Sequence, residues 1–181
     1  MFFTATLLLA ALVQNPAAPA AQPTAPDLSD PEVAHVAVTA NNIDIDLAKF
    51  AETRTHSAPV RAFAQRMITD HSGVNEQAAA LAKRLGVTPA DNAVSQSLQA
   101  GAKDARAKLE SLRGAAFDRA YLDREIAYHQ AVLDALDKVL IPTTDNAELK
   151  KLLTDVRPAI ASHLDHAKRV RGMLGIDRAS R

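Results

Sequence analysis

The fold is decided by residues 118–133, which read DRAYLDREIAYHQAVL. Within this stretch Glu125 and His129 stand four residues apart, so on an α-helix they lie on the same face. The rest of that face is apolar, with Phe117 and Leu122 among its members. The pattern therefore predicts a helix that points a carboxylate and an imidazole into a hydrophobic core.

Three other segments each place one polar residue on an otherwise apolar helical stripe. These residues are Asp44, His71 and His163. A buried carboxylate without a partner is strongly disfavoured, and a buried histidine needs a partner for each ring nitrogen. Polar residues on four helices satisfy these needs most economically by contacting one another or a cation. We therefore predict a metal site formed by Asp44, His71, Glu125, His129 and His163.

The donor atoms of this set indicate which metals it would bind. Three imidazoles and two carboxylates suit Fe, Mn, Zn or Cu, whereas Ca and Mg prefer oxygen ligands. Four further residues are candidates for hydrogen bonding to the imidazoles: Asp70, Asp118, Tyr121 and His166. No catalytic residue and no organic cofactor are predicted.

The spacing of apolar residues, caps and prolines predicts five helical segments: 29–53, 57–85, 95–113, 115–141 and 145–175. Pro158 removes one backbone hydrogen bond inside the last segment and should kink it one turn before His163. Such a bend could direct this imidazole toward the core.

The third segment, 95–113, determines at which end of the bundle the fourth segment begins. As a helix, the segment 95–113 would span about 27 Å, enough to carry the chain back along the bundle. We therefore predict an all-α, ferritin-like four-helix bundle, with a helical crossover between the second and third long helices. A plain up-and-down bundle of five helices is the alternative.

The N-terminal residues predict export. Residues 1–13 are almost wholly apolar and precede the pattern Ala18-Pro19-Ala20, which a signal peptidase could cut. We predict four parts of the chain: a signal peptide over 1–21, a Pro- and Ala-rich linker over 22–28, the bundle domain over 29–175 and a tail over 176–181. An uncleaved anchor is the alternative for the first part, since no Lys or Arg precedes the apolar run. Because the chain has no cysteine, a periplasmic or outer-membrane-associated protein would be stabilised by its core alone.

Charge and hydropathy restrict the classes of partner that the protein is expected to bind. Lys and Arg together number 21, as do Asp and Glu, and this balance argues against a nucleic-acid-binding protein. The N-terminal apolar run is shorter than the roughly 20 residues that a membrane helix needs, so we expect no integral span in the mature chain. A metal ion is the expected partner, with a second copy of the chain or an envelope protein left open.

Four stretches of the chain together resemble a known family. They read NNIDIDLAKFA from residue 41, VRAFAQRMITDHSGVN from residue 60, GAAFDRAYLDREIAYHQAVL from residue 114 and LKKLLTDVRPAIASHLDHA from residue 149. Over about residues 30–174 the chain is similar to the bacterial exported family called domain of unknown function 4142. The matching positions are Asn41, Asp44, Asp46, Asp70, His71, Phe117, Asp118, Tyr121, His129, Pro158 and His163.

This resemblance implies a ferritin-like bundle in the periplasm or envelope, with no established activity. The family usually has Glu where Asp44 and Asp46 stand, which implies a shorter carboxylate in this chain. Di-iron bundles use a Glu-x-x-His motif from each of two helices, and none of the five candidate ligands forms that motif. A mononuclear centre is therefore favoured over a ferroxidase.

Three functions follow from these patterns. The first is a metal-binding bundle that handles metal or oxidative stress in the envelope. The second is a non-catalytic interaction or structural module whose core histidines are only hydrogen-bonded. The third is an oxidoreductase, which would require an open coordination position and an entrance for substrate.

Overall fold

The computed structural model describes residues 27–179, with side chains for residues 27–174. The predicted signal peptide and residues 22–26 of the predicted linker lie outside these residues. Between residues 27 and 179 the chain forms five long helices: α1 (Asp30–Arg54), α2 (Ala58–Leu85), α3 (Ala93–Glu110), α4 (Gly114–Ala135) and α5 (Ala147–Ala179). No helix in this range is long and apolar enough to cross a membrane.

The start of α1 follows from its sequence. The backbone N–H and the hydroxyl of Ser29 both donate to the Glu32 carboxylate, at 2.9 and 2.6 Å. Leu28 precedes this cap, is 7% exposed and belongs to the same buried cluster as Val33. An apolar residue before the cap that packs near the fourth helical position is a hydrophobic staple. Leu28 is therefore part of the bundle rather than of the linker to which composition assigned it.

The end of α2 and the start of α3 are set by two residues. Gly86 adopts φ 65°, a left-handed conformation that glycine adopts readily, and it ends α2 where the sequence predicted. Asn92 caps α3 by accepting a hydrogen bond from the Ser95 N–H at 3.0 Å. Because of this cap, α3 begins at Ala93, two residues before the predicted segment.

The third helix returns the chain along α1. The Ala90 N–H donates to the Pro31 carbonyl at 3.0 Å, which places the start of α3 beside the start of α1. At the other end, Arg54 donates to the Glu110 carbonyl at 3.2 Å. The chain is thus carried from the end of α2 back to the α1–α2 turn. Because α3 packs against α1, while α2 packs against α1 and α5, this is the predicted ferritin-like crossover and not the up-and-down alternative.

The helices α4 and α5 form the second hairpin. Asp118 accepts a hydrogen bond from the Thr55 hydroxyl at 2.6 Å, so α4 begins beside the α1–α2 turn. The sequence predicted an α-helix as far as Ile141, but α4 passes into a π-helical turn at Leu136–Leu140 and a short α-helical turn at Ile141–Thr143. Nothing in the sequence LDKVL explains the π-helical geometry.

The last helix is longer than predicted. It begins where the Asn146 side chain accepts from the Leu149 N–H at 3.0 Å. It contains Pro158 and continues through Gly175 to Ala179. Glycine stops a helix where it takes the left-handed conformation seen at Gly86, and Gly175 is helical instead.

Two buried clusters fill the bundle. The aromatic cluster lies toward the α1–α2 turn and contains Phe63, Phe117 and Tyr121 with aliphatic neighbours. The aliphatic cluster lies toward the start of α1 and consists of Leu, Val and Ile side chains such as Leu149 and Leu153. On each of α1, α2, α4 and α5, buried polar residues lie between the two clusters.

Candidate metal centre

The five residues predicted to bind a metal form one layer between the two clusters. Each is at most 4% exposed. We call this set the polar layer: Asp44, His71, Glu125, His129 and His163. The helices α1, α2 and α5 contribute one member each, and α4 contributes two one turn apart.

Contacts within the polar layer join all four helices. Asp44 Oδ2 lies 2.9 Å from His71 Nε2 and 3.8 Å from His129 Nε2. Glu125 Oε2 lies 3.5 Å from His129 Nδ1. The ring centroids of His71 and His163 are 5.2 Å apart, and one ring nitrogen from each of the three histidines lies within 4.8 Å of the others. The structure therefore brings all five residues together, as the sequence predicted.

Each imidazole has one ring nitrogen bonded to a protein acceptor. The pairs are His71 Nδ1 with Asn41 Oδ1 at 2.7 Å, His129 Nδ1 with the Glu125 carbonyl at 2.9 Å, and His163 Nε2 with Asp70 Oδ2 at 2.8 Å. Because these acceptors carry no hydrogen, the imidazole N–H must lie on the bonded nitrogen. In the neutral ring the other nitrogen then carries a lone pair.

A chain of amides fixes the orientation of Asn41. Its Nδ2 donates to Asn75 Oδ1 at 3.1 Å, and Asn75 Nδ2 donates to Asn42 Oδ1 at 2.8 Å. Since an amide nitrogen donates and an amide oxygen accepts, this order leaves Asn41 Oδ1 facing His71. The surroundings of the layer thus determine which imidazole nitrogen faces the centre.

Five buried atoms of the polar layer have no hydrogen-bond partner in the described part of the chain. They are Asp44 Oδ2, Glu125 Oε2, His71 Nε2, His129 Nε2 and His163 Nδ1. Asp44 Oδ2 and His71 Nε2 are close but not aligned for a hydrogen bond. A buried polar atom without a partner costs roughly 1–3 kcal/mol. Ring nitrogens of the three histidines lie within 4.8 Å of one another, as do donor atoms of Asp44, Glu125 and His129, and a cation would stabilise such an arrangement.

Arg124 is a charged residue of the site that the sequence analysis did not identify. Its Nη1 donates to Asp44 Oδ1 at 2.9 Å and to Glu125 Oε1 at 2.7 Å. The side chain is 13% exposed, and the guanidinium carbon lies 3.9 Å from the centroid of the Tyr128 ring. The arginine therefore binds one oxygen of each carboxylate and leaves the other oxygen unbonded.

The electrostatics of the layer favour the ligand forms of Asp44, His129 and His163 and oppose that of Glu125. Burial alone would raise the pKa of Asp44, but its contact with His71 and the nearby positive charges outweigh burial and lower it. Burial and the charge of Asp44 raise the pKa of Glu125 well above its usual range. Burial lowers the pKa of His129, and it lowers that of His163 to about 4. These shifts favour an ionised Asp44, a protonated Glu125 and neutral rings at these two histidines.

Of the four residues predicted to support the imidazoles, only Asp70 bonds to one. Asp118 instead accepts from Thr55 beyond the aromatic cluster. His166 packs edge-on against a phenylalanine ring, with the centroids 5.2 Å apart. The buried hydroxyl of Tyr121 has no partner among the side chains and backbone that the structure describes.

Two residues of the site carried only weak signals in the sequence. Arg124 follows Tyr121 by three residues and precedes Tyr128 by four, so it lies at the edge of the apolar face of α4. Asn41 precedes Asp44 by three residues on α1. A polar residue one turn from a candidate ligand is the signal that could have identified both.

The donor set fits a transition metal ion. Neutral imidazole and carboxylate are ligands for Zn, Cu, Fe and Mn. The one Glu-x-x-His in the chain runs from Glu32 to His35, where Glu32 caps α1 and His35 Nδ1 lies 2.8 Å from Ser95 Oγ. This motif lies outside the polar layer, so the layer differs from a di-iron carboxylate site.

The fold and the site together define a ferritin-like four-helix bundle with a buried histidine–carboxylate layer. The sequence matches the family described as domain of unknown function (DUF4142) over residues 14–170. The chain belongs to this family, which confirms the resemblance seen in its motifs. No curated protein matches the chain.

Two solved structures are similar in fold. A fragment of a DUF305 protein from Deinococcus radiodurans has a TM-score of 0.67 at 19% identity, covering 83% of this chain and 99% of that one. The protein CopM, in a Cu(II)-bound form, has a TM-score of 0.59 at 16% identity, covering 81% of this chain and 97% of that one. At this level of identity the similarity concerns the helical bundle alone.

Proposed function

We propose that this protein binds one transition metal ion in the polar layer. His71, His129, His163 and Asp44 would be its ligands, and Glu125 would be a further ligand once it has lost its proton. The bound ion would supply a Lewis acid or, if Fe, Mn or Cu, a redox centre. The residues of the chain would position that ion and exclude water from it.

The convergence of three buried imidazoles, each with one nitrogen that has no partner, carries this proposal. Each ring already uses its N–H in a bond to Asn41, to a backbone carbonyl or to Asp70. A site whose histidines were only hydrogen-bonded within the core would have partners for both ring nitrogens. Here the second nitrogen of each ring has no partner in the described part of the chain, and one ring nitrogen of each histidine lies within 4.8 Å of those of the other two. The similarity in fold to CopM adds copper as a metal to test first.

The test is to measure the metal content of the purified full chain. The protein is loaded in turn with Cu(II), Zn(II), Mn(II) and Fe(II), freed of excess metal, and analysed by elemental mass spectrometry. We expect one ion per chain for at least one metal. His129→Ala and His163→Ala should reduce the content at least tenfold, because each removes a ligand that no other side chain replaces.

The matched control is His56→Ala, which removes an exposed histidine at the α1–α2 turn. This variant should retain the full metal content. Equal metal content in all three variants and in the unaltered chain would show that the ion binds elsewhere. A wild-type chain that retains none of the four metals would overturn the proposal.

We also propose that the chain is exported to the periplasm. The apolar residues 1–13 and the small residues at positions 18–21 support this, and they lie outside the residues that the structure describes. Expression in a Gram-negative bacterium, followed by osmotic shock and mass analysis, should give a periplasmic chain that begins near residue 21 or 22. An uncleaved chain in the cytoplasmic fraction would contradict the proposal.

A further inference from the structure

We propose that Arg124 takes the place of a second metal ion, so that the polar layer holds one ion rather than a carboxylate-bridged pair. This inference rests on the proposed function. It assigns to Arg124 the role of setting how many ions the site accepts.

The geometry of the two carboxylates is that of bridging groups. Asp44 gives Oδ1 to the guanidinium, while its Oδ2 faces His71. Glu125 gives Oε1 to the same nitrogen, while its Oε2 lies toward His129. In a bridged pair of cations, each carboxylate likewise gives one oxygen to each cation. Here the guanidinium of Arg124 takes the place of one of the two cations.

The guanidinium is held firmly in this position. It stacks on the Tyr128 ring, and the Tyr128 hydroxyl donates to the Ala40 carbonyl on α1 at 3.0 Å. The ring is thereby fixed between two helices, one of which carries Asp44. A side chain ordered by stacking and by two charge-assisted hydrogen bonds is hard for a free ion to displace.

The count of donor atoms agrees with a single ion. Each of the five residues has one buried atom without a partner, and five donors are enough for one transition metal ion. The only oxygens of Asp44 and Glu125 that remain are the two bonded to Arg124. A second ion could enter only where the guanidinium lies. Di-iron bundles differ in having four carboxylates and no such cation between them.

The test compares the number of Mn(II) ions bound by three forms of the full chain. Native mass spectrometry counts the ions, and electron paramagnetic resonance distinguishes an isolated Mn(II) from an exchange-coupled pair. We expect one isolated ion in the wild type and one in Arg124→Lys, which keeps a positive charge. In Arg124→Gln, at saturating Mn(II), we expect two ions and a coupled spectrum.

The outcomes separate this inference from the proposed function. No bound Mn(II) in the wild type, together with none of the other three metals, would overturn both. One ion in both the wild type and Arg124→Gln would overturn the inference alone, as would two ions in the wild type. If Arg124→Gln does not fold without metal, addition of Mn(II) should restore the fold with two ions bound. Failure of Mn(II) to restore it would also overturn the inference.

Discussion

The two clusters on either side of the polar layer are built from the same four helices but are packed differently. In the aromatic cluster, Phe63, Phe117 and Tyr121 are at most 1% exposed, and the rings of Phe63 and Tyr121 meet edge to face at 6.1 Å. In the aliphatic cluster, small residues such as Ala37 and Ala78 border a cavity of about 510 Å³. Large rings fill the space between helices at one end, and alanines leave it open at the other.

This difference leaves a cavity within the core on the aliphatic side of the polar layer. Three residues that border the cavity each stand three positions from a layer histidine: Val74, Val132 and Ile160. Asn41, which bonds to His71, borders the cavity as well. Since three residues make almost one helical turn, the cavity ends about 5 Å along the helix axes from the imidazoles. A second cavity, of about 560 Å³, is bordered by Arg124 and by Leu109 of the aromatic cluster, so a cavity approaches the layer from each side.

Truncating a large buried side chain should reduce the stability of the chain more than the other changes below. The loss should be larger in the aromatic cluster than in the aliphatic cluster. Phe63→Ala should lower the free energy of unfolding by about 3–5 kcal/mol, because it removes a ring with no exposed surface. Leu153→Ala should lower it by about 2–3 kcal/mol, the lower part of the range for Leu→Ala, since Leu153 borders the cavity. Urea unfolding of the metal-free chain measures both. Equal losses would show that the two ends are packed alike.

Replacing an alanine by leucine should destabilise the chain in the aromatic cluster and stabilise it beside the cavity of the aliphatic cluster. Ala64 is fully buried among aromatic side chains, so Ala64→Leu should destabilise the chain by about 1–3 kcal/mol through overpacking. Ala37 borders the cavity, and Ala37→Leu should stabilise the chain by about 1 kcal/mol by filling part of it. The same unfolding experiment compares them. A loss of stability in Ala37→Leu as large as that in Ala64→Leu would mean that the cavity does not exist in solution.

Removing a surface ion pair should change the stability least. The change should be the same at the aromatic end of the bundle as at the aliphatic end. Arg157 bonds to Asp137 at the aliphatic end, at 2.6 and 2.7 Å, and Arg171 bonds to Asp123 at the aromatic end, at 2.7 and 3.3 Å. Replacing either aspartate by asparagine should shift the melting temperature by less than about 2 °C, because exposed pairs are weak.

The stabilisation by the Arg157–Asp137 pair should depend on pH, because the pair needs an ionised aspartate. Hydrogen bonds from Arg157 lower the pKa of Asp137. The stabilisation is therefore present above about pH 4, near the pKa of an unfolded aspartate, and is lost as pH falls through the lower folded value. Calorimetry of Asp137→Asn should show a smaller difference from the wild type at pH 3 than at pH 7. An equal difference at the two pH values would mean that the pair acts through packing rather than charge.

The sequence predicted those features that depend on neighbouring residues. The capping of α1 by Ser29 with Glu32 and the end of α2 at Gly86 are local, and both were correct. The five ligands of the candidate site were identified because each interrupts an apolar stripe. That they bind a metal remains a prediction.

The features that were missed depend on contacts between distant parts of the chain. Arg124 bonds to Asp44, which is 80 residues away, and local patterning cannot show which residue an arginine will contact. Leu28 was assigned to a linker because its neighbours are prolines and alanines, and only the packed bundle shows that it is buried. The order of helices was predictable, whereas the charge balance inside the bundle was not.

The permanent charge of Arg124 also influences the oxidation state of any ion bound beside it. Burial opposes the charged form, but the negative charges of Glu125 and Asp44 outweigh it and raise the arginine pKa, so the guanidinium stays protonated. With both carboxylates ionised, these three side chains sum to a charge of −1. A monovalent ion would make the site neutral, a divalent ion would leave one positive charge, and a trivalent ion would leave two. Since excess charge is costly in a buried site, a copper or iron centre at this position would favour its reduced form.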